Sequence, residues 1–432
     1  MNNKGYLILV TKSLTLLSSL LLYLLTCLGC NHPTPSSEKR QDKLDEEQLE
    51  GYGNRRFLVF DKGSVATDQG YYYEDASVGP RIYLFDKDNN LQQEVLYEPN
   101  QYVQWGYTSF LHRLPNEERL LLCSSMVRVN TRHNTNLPGF NPYGRVSVIS
   151  SSTFELIKQK DFNAYSTEAQ SFPDDIFAFD ENSIYLSYRR LKKTYRVDLA
   201  KDPDKKIEVE ALNGREIHES FIYNGKMYAF DFMDLDAGSV LVEFNPKNSS
   251  CHTKQFPNAI WLVDRADDLL YLSFSDGSVG VYSITERAFV IDPLKLETKM
   301  GKVHGMAYDR KEKQLYLAFN HTLVRPFIFK IDITSLTEDE LSGKTRIAPV
   351  KFAKMDMLTS DPSSGRARLI VDKYQHKLFT FYYHSDKQIL GGHVNIYDLD
   401  TPMTEGLQQH QKQHRIGWNM WTLTSAYFIP CN

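Results

Sequence analysis

A short aromatic-aliphatic motif recurs along this chain and constrains its fold more than any other feature. Its seven copies begin 43 to 64 residues apart. They are Phe57-Leu-Val-Phe, Leu120-Leu-Leu-Cys, Ile184-Tyr-Leu-Ser, Met227-Tyr-Ala-Phe, Leu270-Tyr-Leu-Ser, Leu315-Tyr-Leu-Ala and Leu378-Phe-Thr-Phe. Turn-forming or charged pairs precede four of them, so each copy is predicted to be a buried strand that follows a hairpin turn. Self-similarity of this kind is typical of architectures built from stacked repeats.

Further strands are predicted on both sides of each motif. An alternating run follows it and often ends in Asp, as in Ile82–Asp86 and Val394–Asp398, and a weaker fourth strand usually comes next. Another apolar strand, such as Val303–Tyr308, precedes every motif after the first. Four strands repeated seven times predict an all-β protein, a single β-propeller of seven four-stranded blades over residues 55–432. The 26 Tyr and 24 Phe also favour strands.

The repeats resemble those of known propeller families. The stretch Leu270–Ser283 is similar to a WD40-type blade, with Ser in place of the terminal Trp-Asp. Other blades resemble the loosely patterned TolB-like and YVTN-like propellers of bacterial envelope proteins. The resemblance spans roughly residues 55–430. It implies the fold alone, because its motifs are generic and carry no functional residues across.

The two ends of the propeller are predicted to share the first blade. Phe57 has no upstream strand of its own, whereas a strand-like run, Trp421–Pro430, remains after the seventh blade. Propellers commonly close when one terminus completes the blade of the other, because this removes exposed sheet edges. We therefore expect Met420–Ile429 to be the innermost strand of blade one, so that the C-terminal strand closes the ring. A capping-box pattern at Thr337–Glu340 predicts one short helical turn before Gly343.

Residues 1–30 resemble a bacterial lipoprotein signal peptide. An apolar run at Leu14–Leu25, which is short for a membrane span, leads to Gly29 and Cys30. The resemblance implies that Cys30 is lipidated and that acyl chains anchor the protein in the cell envelope, at the outer membrane or the periplasmic face. Cys27 is the alternative lipidation site. The alternative leader is an ordinary cleaved signal peptide.

The segment 31–54 is predicted to be a flexible tether between the leader and the propeller. It begins with prolines and serines and continues as a run of mixed charge with almost no apolar residues. Such a composition cannot bury enough apolar surface to form a core.

Composition and spacing argue against several function classes. The net charge of −4 gives no basic face for a nucleic-acid partner. Outside the leader, Cys123, Cys251 and Cys431 show no metal-ligand spacing, and Cys123 is expected in a strand core. Asp86–Asn90 imitates the start of a calcium loop, but Leu91 replaces the required Gly, so a solvated hairpin turn is predicted. We predict no cofactor, no metal site and no catalytic residue.

Five segments exceed what a blade of about 43 residues requires. They are Asp61–Pro80, Pro99–Tyr107, Ser125–Tyr143, Asp161–Pro173 and Ala353–Gly365. With the usual wiring of a propeller, these loops open largely on one face. Aromatic and guanidinium groups on loops of a rigid scaffold are typical of binding surfaces, so we predict one here. Its candidate residues are Tyr71, Tyr72, Tyr73, Trp105, Tyr107, Arg132 and His133. The alternative is that these side chains only pack the loops onto the body.

Together these features predict a non-enzymatic binding or scaffold lipoprotein of the bacterial cell envelope, with an envelope protein or a small ligand as its partner. The alternative is a propeller-type hydrolase or lactonase with carboxylates at the central channel. The candidates for that chemistry are Asp174, Asp175, Asp264 and His304. A subunit of an envelope assembly complex would give the same sequence pattern. An enzyme of the alternative kind should show acids or metal ligands that converge at the channel mouth, and a binding protein need not.

Overall fold

The computed structural model describes most of the region predicted to form the propeller. The described residues are 55–61, 81–86, 88–96, 103–105, 109–113, 119–124, 127–129, 143–151, 153–231, 239–258, 260–319, 327–355, 367–386, 389–401, 406–416 and 423–430. All of them belong to one compact unit, Asn54–Asn432. The predicted leader and tether, with Cys27 and Cys30, lie outside the described residues.

Among the described residues, thirty strands make up nearly all of the regular structure. In the first half of the chain they are β1 (Arg55–Asp61), β2 (Arg81–Phe85), β3 (Leu91–Leu96), β4 (Val103–Trp105), β5 (Ser109–Arg113), β6 (Arg119–Ser124), β7 (Val127–Val129), β8 (Tyr143–Ser150), β9 (Leu156–Asn163), β10 (Asp175–Ala178), β11 (Ser183–Tyr188), β12 (Lys193–Asp198), β13 (Asp202–Glu208), β14 (Ile217–Tyr223) and β15 (Lys226–Asp231). In the second half they are β16 (Ser239–Asn245), β17 (Ser250–Phe256), β18 (Ile260–Ala266), β19 (Leu269–Phe274), β20 (Ser278–Ser283), β21 (Ala288–Lys295), β22 (Val303–Asp309), β23 (Gln314–Phe319), β24 (Phe327–Asp332), β25 (Val350–Lys354), β26 (Ala367–Asp372), β27 (Lys377–Asp386), β28 (Ile389–Asp398), β29 (Lys412–Ile416) and β30 (Leu423–Pro430).

Helix is scarce in the described residues. One α-helix, α1 (Glu338–Leu341), follows Thr337, whose hydroxyl accepts a hydrogen bond from the amide of Glu340. The Glu340 carboxylate in turn accepts from the amide of Thr337, so the predicted capping box is confirmed. Short 3-10 turns occur at Arg189–Leu191, Glu210–Leu212, Thr298–Met300 and Ile333–Ser335. Within the described part of the chain, no helix is long and apolar enough to cross a membrane.

Seven four-stranded antiparallel sheets contain all of the strands except β4 and β7. In the order of their hydrogen-bonded neighbours, blade 1 is β30-β1-β2-β3, blade 2 is β5-β6-β8-β9, blade 3 is β10-β11-β12-β13, blade 4 is β14-β15-β16-β17, blade 5 is β18-β19-β20-β21, blade 6 is β22-β23-β24-β25 and blade 7 is β26-β27-β28-β29. The first strand in each of these orders is the inner strand, and inner strands of successive blades contact one another, as β18 contacts β22 and β22 contacts β26. The protein is an all-β, seven-bladed propeller, as the sequence predicts.

The C-terminal strand completes the first blade. β30 pairs with β1 from Arg55 opposite Pro430 to Asp61 opposite Leu423. The observed strand begins three residues later than the predicted Met420 and ends one residue after Ile429. Without β30, the edge of β1 would be unpaired, which explains why the chain returns to its starting blade.

Apolar side chains fill the space between successive blades. One buried cluster joins Leu121 of blade 2 to Leu186 of blade 3, and another joins blade 5 to blade 6. Between blades 6 and 7, the rings of Phe352 and Tyr397 meet edge to face with centroids 5.9 Å apart. The outer strands, by contrast, are largely exposed, as the pattern of β13 shows. The core is therefore a set of layers between blades, in which each blade packs on its neighbours.

The seven motif copies all lie in the second strand of a blade. In β11 and β19 every residue of the strand is buried, because these strands pack against neighbouring blades on both faces. The alternating runs that follow the motifs form the third strands, and the apolar segments that precede them form the inner strands. Cys123 lies buried in β6, as expected, and burial raises the pKa of its thiol to about 12.

The polar residue at the end of each third strand has a structural role. Its side chain accepts hydrogen bonds from backbone amides two to four residues later and so closes the turn to the outer strand. The residues are Asp86, Ser150, Asp198, Asn245, Ser283, Asp332 and Asp398. Asp86, for example, accepts from the amides of Asp88 and Asn90 at 2.9 and 2.8 Å, which confirms the predicted hairpin turn.

Candidate functional site

The strand ends that flank the long segments lie on one face of the propeller. The segment 62–80 joins β1 to β2 at the end where Asp61 pairs with Arg81, and 125–142 lies at the end where Ser124 pairs with Arg145. Connections from an outer strand to the next inner strand open at the same edge, as in 97–108 and 356–366. We call this the loop face. The opposite face, the turn face, carries Arg55, Pro430 and the turns that close the third strands.

A two-stranded ribbon brings two of the predicted binding loops together on the loop face. β4 comes from the connection between blades 1 and 2, and β7 comes from the loop between the second and third strands of blade 2. The two strands pair antiparallel, with Val103 opposite Val129, Gln104 opposite Arg128 and Trp105 opposite Val127. Neither strand belongs to a blade, so the ribbon is an addition to the propeller body.

The predicted binding residues lie mostly outside the described residues. These are Tyr71, Tyr72, Tyr73, Tyr107, Arg132 and His133. Trp105 is placed by its backbone in β4, within the ribbon. The structure therefore brings the flanking segments of two loops together, and the predicted binding role of the side chains stays a prediction.

The described long loop, which leads from blade 2 to blade 3, packs against the body. Ala164 is buried, and its carbonyl oxygen accepts a hydrogen bond from the Tyr188 hydroxyl at 2.5 Å. The rings of Tyr165 and Phe172 meet edge to face with centroids 5.5 Å apart. Tyr165 and Phe172 thus pack this loop onto the body, as the alternative to a binding role states.

The carboxylates at the start of β10 hold the backbone. Asp174 Oδ2 accepts a hydrogen bond from the amide of Arg189 at 2.8 Å. Asp175 is buried, and its Oδ2 accepts from the amide of Ser220 at 2.8 Å, which links blade 3 to a bulge in the inner strand of blade 4. Both side chains therefore support the ends of inner strands.

Asp264 is a buried acid of the inner strands that pairs with an arginine. Its Oδ1 lies 3.0 Å from Nη2 of Arg368 and accepts from the amide of Arg265 at 2.8 Å. Asp264 belongs to β18 of blade 5 and Arg368 to β26 of blade 7, so the ion pair spans the inner strand of blade 6. Burial raises the pKa of Asp264, although Arg368 acts in the opposite direction. Its Oδ2 has no hydrogen-bond partner among the described residues.

Gly305 explains how the inner strands of blades 6 and 7 come so close. A Cβ atom on Gly305 would lie 2.3 Å from the carbonyl oxygen of Ala367, the residue before Arg368. Glycine at this position therefore permits the approach of β26 to β22. The neighbouring His304 is half-buried in β22.

Comparisons with known proteins assign no family and no function to the chain. No family model matches the chain, and no curated protein matches its sequence. A solved structure of a quinonprotein alcohol dehydrogenase-like protein from Bacteroides thetaiotaomicron is 12% identical, covers 87% of this chain and 77% of its own, and gives a TM-score of 0.43. AztD from Citrobacter koseri is 9% identical over 84% of this chain and 98% of its own, with a TM-score of 0.42. The assignment of the fold rests on the strand topology above.

The inner-strand acids and histidine do not converge as a metal-binding group. Among the described residues, no set of three or more His, Cys, Asp or Glu side chains is placed to hold a metal ion. The acids Asp174, Asp175 and Asp264 each bond a backbone amide, and Asp264 also bonds an arginine. In the structure, these three carboxylates hold the backbone at and beside the inner strands. Sequence reasoning selected Asp264 but missed Arg368, which is 104 residues away and carries no local signal.

Arg368→Met is expected to destabilise the propeller by about 3–5 kcal/mol at neutral pH, because it leaves the Asp264 carboxylate buried without its charge partner. The loss should shrink as the pH falls, since a protonated Asp264 needs no partner and its pKa is already raised in the folded protein. Urea unfolding at pH 7 and pH 5 measures both effects. Arg310→Met, which breaks the more exposed pair with Asp268, is the matched control and should cost less than about 1 kcal/mol. Equal losses in the two variants would contradict a structural role for the Asp264–Arg368 pair.

Proposed function

We propose that this protein is a non-enzymatic binding or scaffold lipoprotein of the bacterial cell envelope, and that an envelope protein or a small ligand binds on its loop face. The observation that carries the proposal is the β4–β7 ribbon. It joins the connection between blades 1 and 2 to the long loop of blade 2, outside every blade. Loops that are fixed in this way on a rigid scaffold are where binding residues usually lie.

The described propeller begins and ends on the turn face. Arg55 begins β1 there, and Pro430 ends β30 beside it. Both residues therefore lie on the face opposite the proposed binding face. The described part of the chain exposes few large apolar side chains, and those on outer strands are Leu156, Ile157, Ile207 and Val350.

Alanine at Trp105 or at Tyr72 is expected to weaken partner binding by roughly 1–2 kcal/mol, or about 5- to 30-fold in Kd, without lowering the melting temperature. The reason is that both residues belong to segments that the propeller core does not need. The partner is first isolated by capture with the intact protein from its own membranes, and affinities are then measured with the purified pair. Tyr165→Ala is the matched control, since this tyrosine packs against Phe172 in a loop that lies on the body.

Unchanged affinity in both the Trp105 and Tyr72 variants would contradict binding at the ribbon. A loss of affinity that comes with a lower melting temperature would show that these residues pack the loops, as the alternative reading of the sequence states. A binding loss without a change in melting temperature supports the proposal.

A hydrolase or lactonase is the second candidate, and Asp264 is the observation that favours it. This carboxylate is buried in an inner strand, has a raised pKa and keeps one oxygen without a hydrogen-bond partner among the described residues. Turnover of a lactone or ester by the wild type that is lost in Asp264→Asn, with folding retained, would establish the enzyme in place of the binding protein.

A further inference from the structure

A histidine joins two carboxylates from two blades on the turn face. His376 lies in the turn between β26 and β27 of blade 7 and is buried. Its Nε2 lies 2.7 Å from Oδ2 of Asp309, at the end of β22 in blade 6. Its Nδ1 lies 2.5 Å from Oδ1 of Asp400, in the turn that follows β28. One imidazole ring therefore contacts an acceptor oxygen on each side.

The number of protons on the His376 ring decides whether its contacts with Asp309 and Asp400 are both favourable. A neutral imidazole carries one N–H, whereas an imidazolium carries two, and an ionised carboxylate only accepts hydrogen bonds. Both contacts are satisfied together when His376 is protonated. Burial alone would lower the pKa of His376, but the hydrogen bonds to Asp309 and Asp400 raise it above its ordinary value. The same bond to His376 lowers the pKa of Asp400.

The other charged groups near the ring modify this arrangement. Lys311 Nζ lies 3.0 Å from Asp400 Oδ1 and 3.2 Å from His376 Nδ1, so it can donate to both once Nδ1 loses its proton. Within the histidine's own turn, Asp372 accepts hydrogen bonds from the amides of Tyr374 and Gln375. Four other charged groups of these turns bond elsewhere: Arg310 with Asp268, Lys373 with Asp267, Lys377 with Gln411, and Asp398 with the amide of Asp400. Glu312, in the turn that contains Lys311, interacts electrostatically with that lysine. Asp309, Asp400 and Lys311 are thus the charges that respond to the ring.

The contact lies next to the junction of the last blade with the first. Gln375, which precedes His376, accepts a hydrogen bond from Asn89 of blade 1 at 2.7 Å. Lys412 and His414 of β29 bond Asn90 and the carbonyl oxygen of Asn89 at 2.8 Å each. His376 therefore lies beside the contacts that join blade 7 to blade 1 on the turn face.

We propose that the imidazolium of His376 is a pH-sensitive lock that holds blade 6 to blade 7, and that the lock loosens when the ring loses its second proton. The direction follows from linkage. A histidine whose pKa is raised in the folded protein contributes its full stabilisation below its unfolded value of about 6.5, and this stabilisation is lost as the pH rises through the folded value. Loosening should begin with the turns 309–314 and 372–377, because the first contains Asp309 and Lys311 and the second contains the ring itself.

His376→Asn tests the lock in the full-length protein. Asparagine tolerates the left-handed backbone of this position, where φ is 50°, and carries no titratable group. The wild type should melt higher than the variant, by about 3 °C or more at pH 6, and this difference should fall to less than half by pH 9. His252→Asn, on the exposed outer strand β17, should show the same dependence of melting temperature on pH as the wild type. A difference that stays constant from pH 6 to pH 9 would overturn the proposal.

Two further variants keep the proposal testable if His376→Asn does not fold. Asp400→Asn removes an exposed carboxylate that bonds the ring. The midpoint of the pH-dependent fall in melting temperature should therefore move to lower pH by about one unit. Lys311→Met removes the ammonium group that can donate to Nδ1 and to Asp400 once the ring has lost its second proton. The fall in melting temperature at high pH should therefore be larger in this variant. Hydrogen exchange of the amides in 309–314 and 372–377, corrected for the intrinsic effect of pH, should accelerate across the same range. Unshifted midpoints, or exchange that does not change in these turns, would contradict the lock.

Discussion

Truncation after Ile416, which removes β30, is expected to abolish the folded propeller. β30 pairs with β1 along its whole length and is the inner strand of blade 1. Its loss exposes the edge of β1 and deprives blade 2 of the inner strand that contacts β5. The net stability of a folded protein is only about 5–15 kcal/mol, so the loss of one inner strand should exceed it. Circular dichroism and thermal melting of the purified protein measure the effect.

Two matched controls define what the truncation shows. Removal of Cys431 and Asn432 alone leaves β30 intact and should not change the melting temperature. Deletion of residues 2–54, which precede β1, should likewise leave the propeller folded, because these residues are predicted to be leader and tether. A protein that lacks 417–432 and melts like the full-length chain would contradict the role of β30.

Cys30→Ser is expected to move the protein from the membrane fraction to the soluble fraction almost completely. If Cys30 carries the acyl chains, its loss removes the proposed anchor, and each buried methylene group contributes about 0.8 kcal/mol to membrane binding. Fractionation of cells that express the full-length chain measures the shift. Labelling with a radioactive fatty acid should disappear in the same variant.

Cys27→Ser is the control for this experiment and should remain in the membrane fraction. Release of Cys27→Ser together with retention of Cys30→Ser would place the anchor at Cys27. A wild-type protein that is soluble and unlabelled would support the ordinary cleaved signal peptide instead.

The blade pattern was predictable because each blade is specified by local sequence. Motifs such as Leu270-Tyr-Leu-Ser combine aromatic and aliphatic residues in a strand that packs on both faces, and all of that strand is buried. The residue that ends each third strand is equally local. Asp198, for instance, bonds the amides of the two residues that form its turn, so an Asp at that place marks the turn in the sequence.

The β4–β7 ribbon could not be predicted in the same way. Its strands have three residues each, which is too short for an alternating pattern to be recognised. They also come from two separate loops, so the pairing of Trp105 with Val127 depends on how the propeller wiring places those loops. The sequence indicated that the loops share a face, but not that they pair.

The inner-strand ion pair and the histidine contact could not be predicted for a different reason. Asp264 and Arg368 are 104 residues apart, and His376 and Asp309 are 67 residues apart. Each pair joins two blades, so its formation depends on the rotation between blades rather than on any local pattern. Gly305 is a further example, because a glycine within a strand does not reveal which neighbouring backbone it admits.

Site-specific photo-crosslinking in the intact, membrane-derived protein tests the central claim most directly. A photoreactive phenylalanine derivative in place of Trp105 probes the loop face, and the same group in place of Lys247, in an exposed turn that Asn245 closes, probes the turn face. Binding on the loop face predicts a defined adduct, protein or small molecule, from position 105 and none from position 247. An adduct that forms from position 247 and not from position 105 would contradict it.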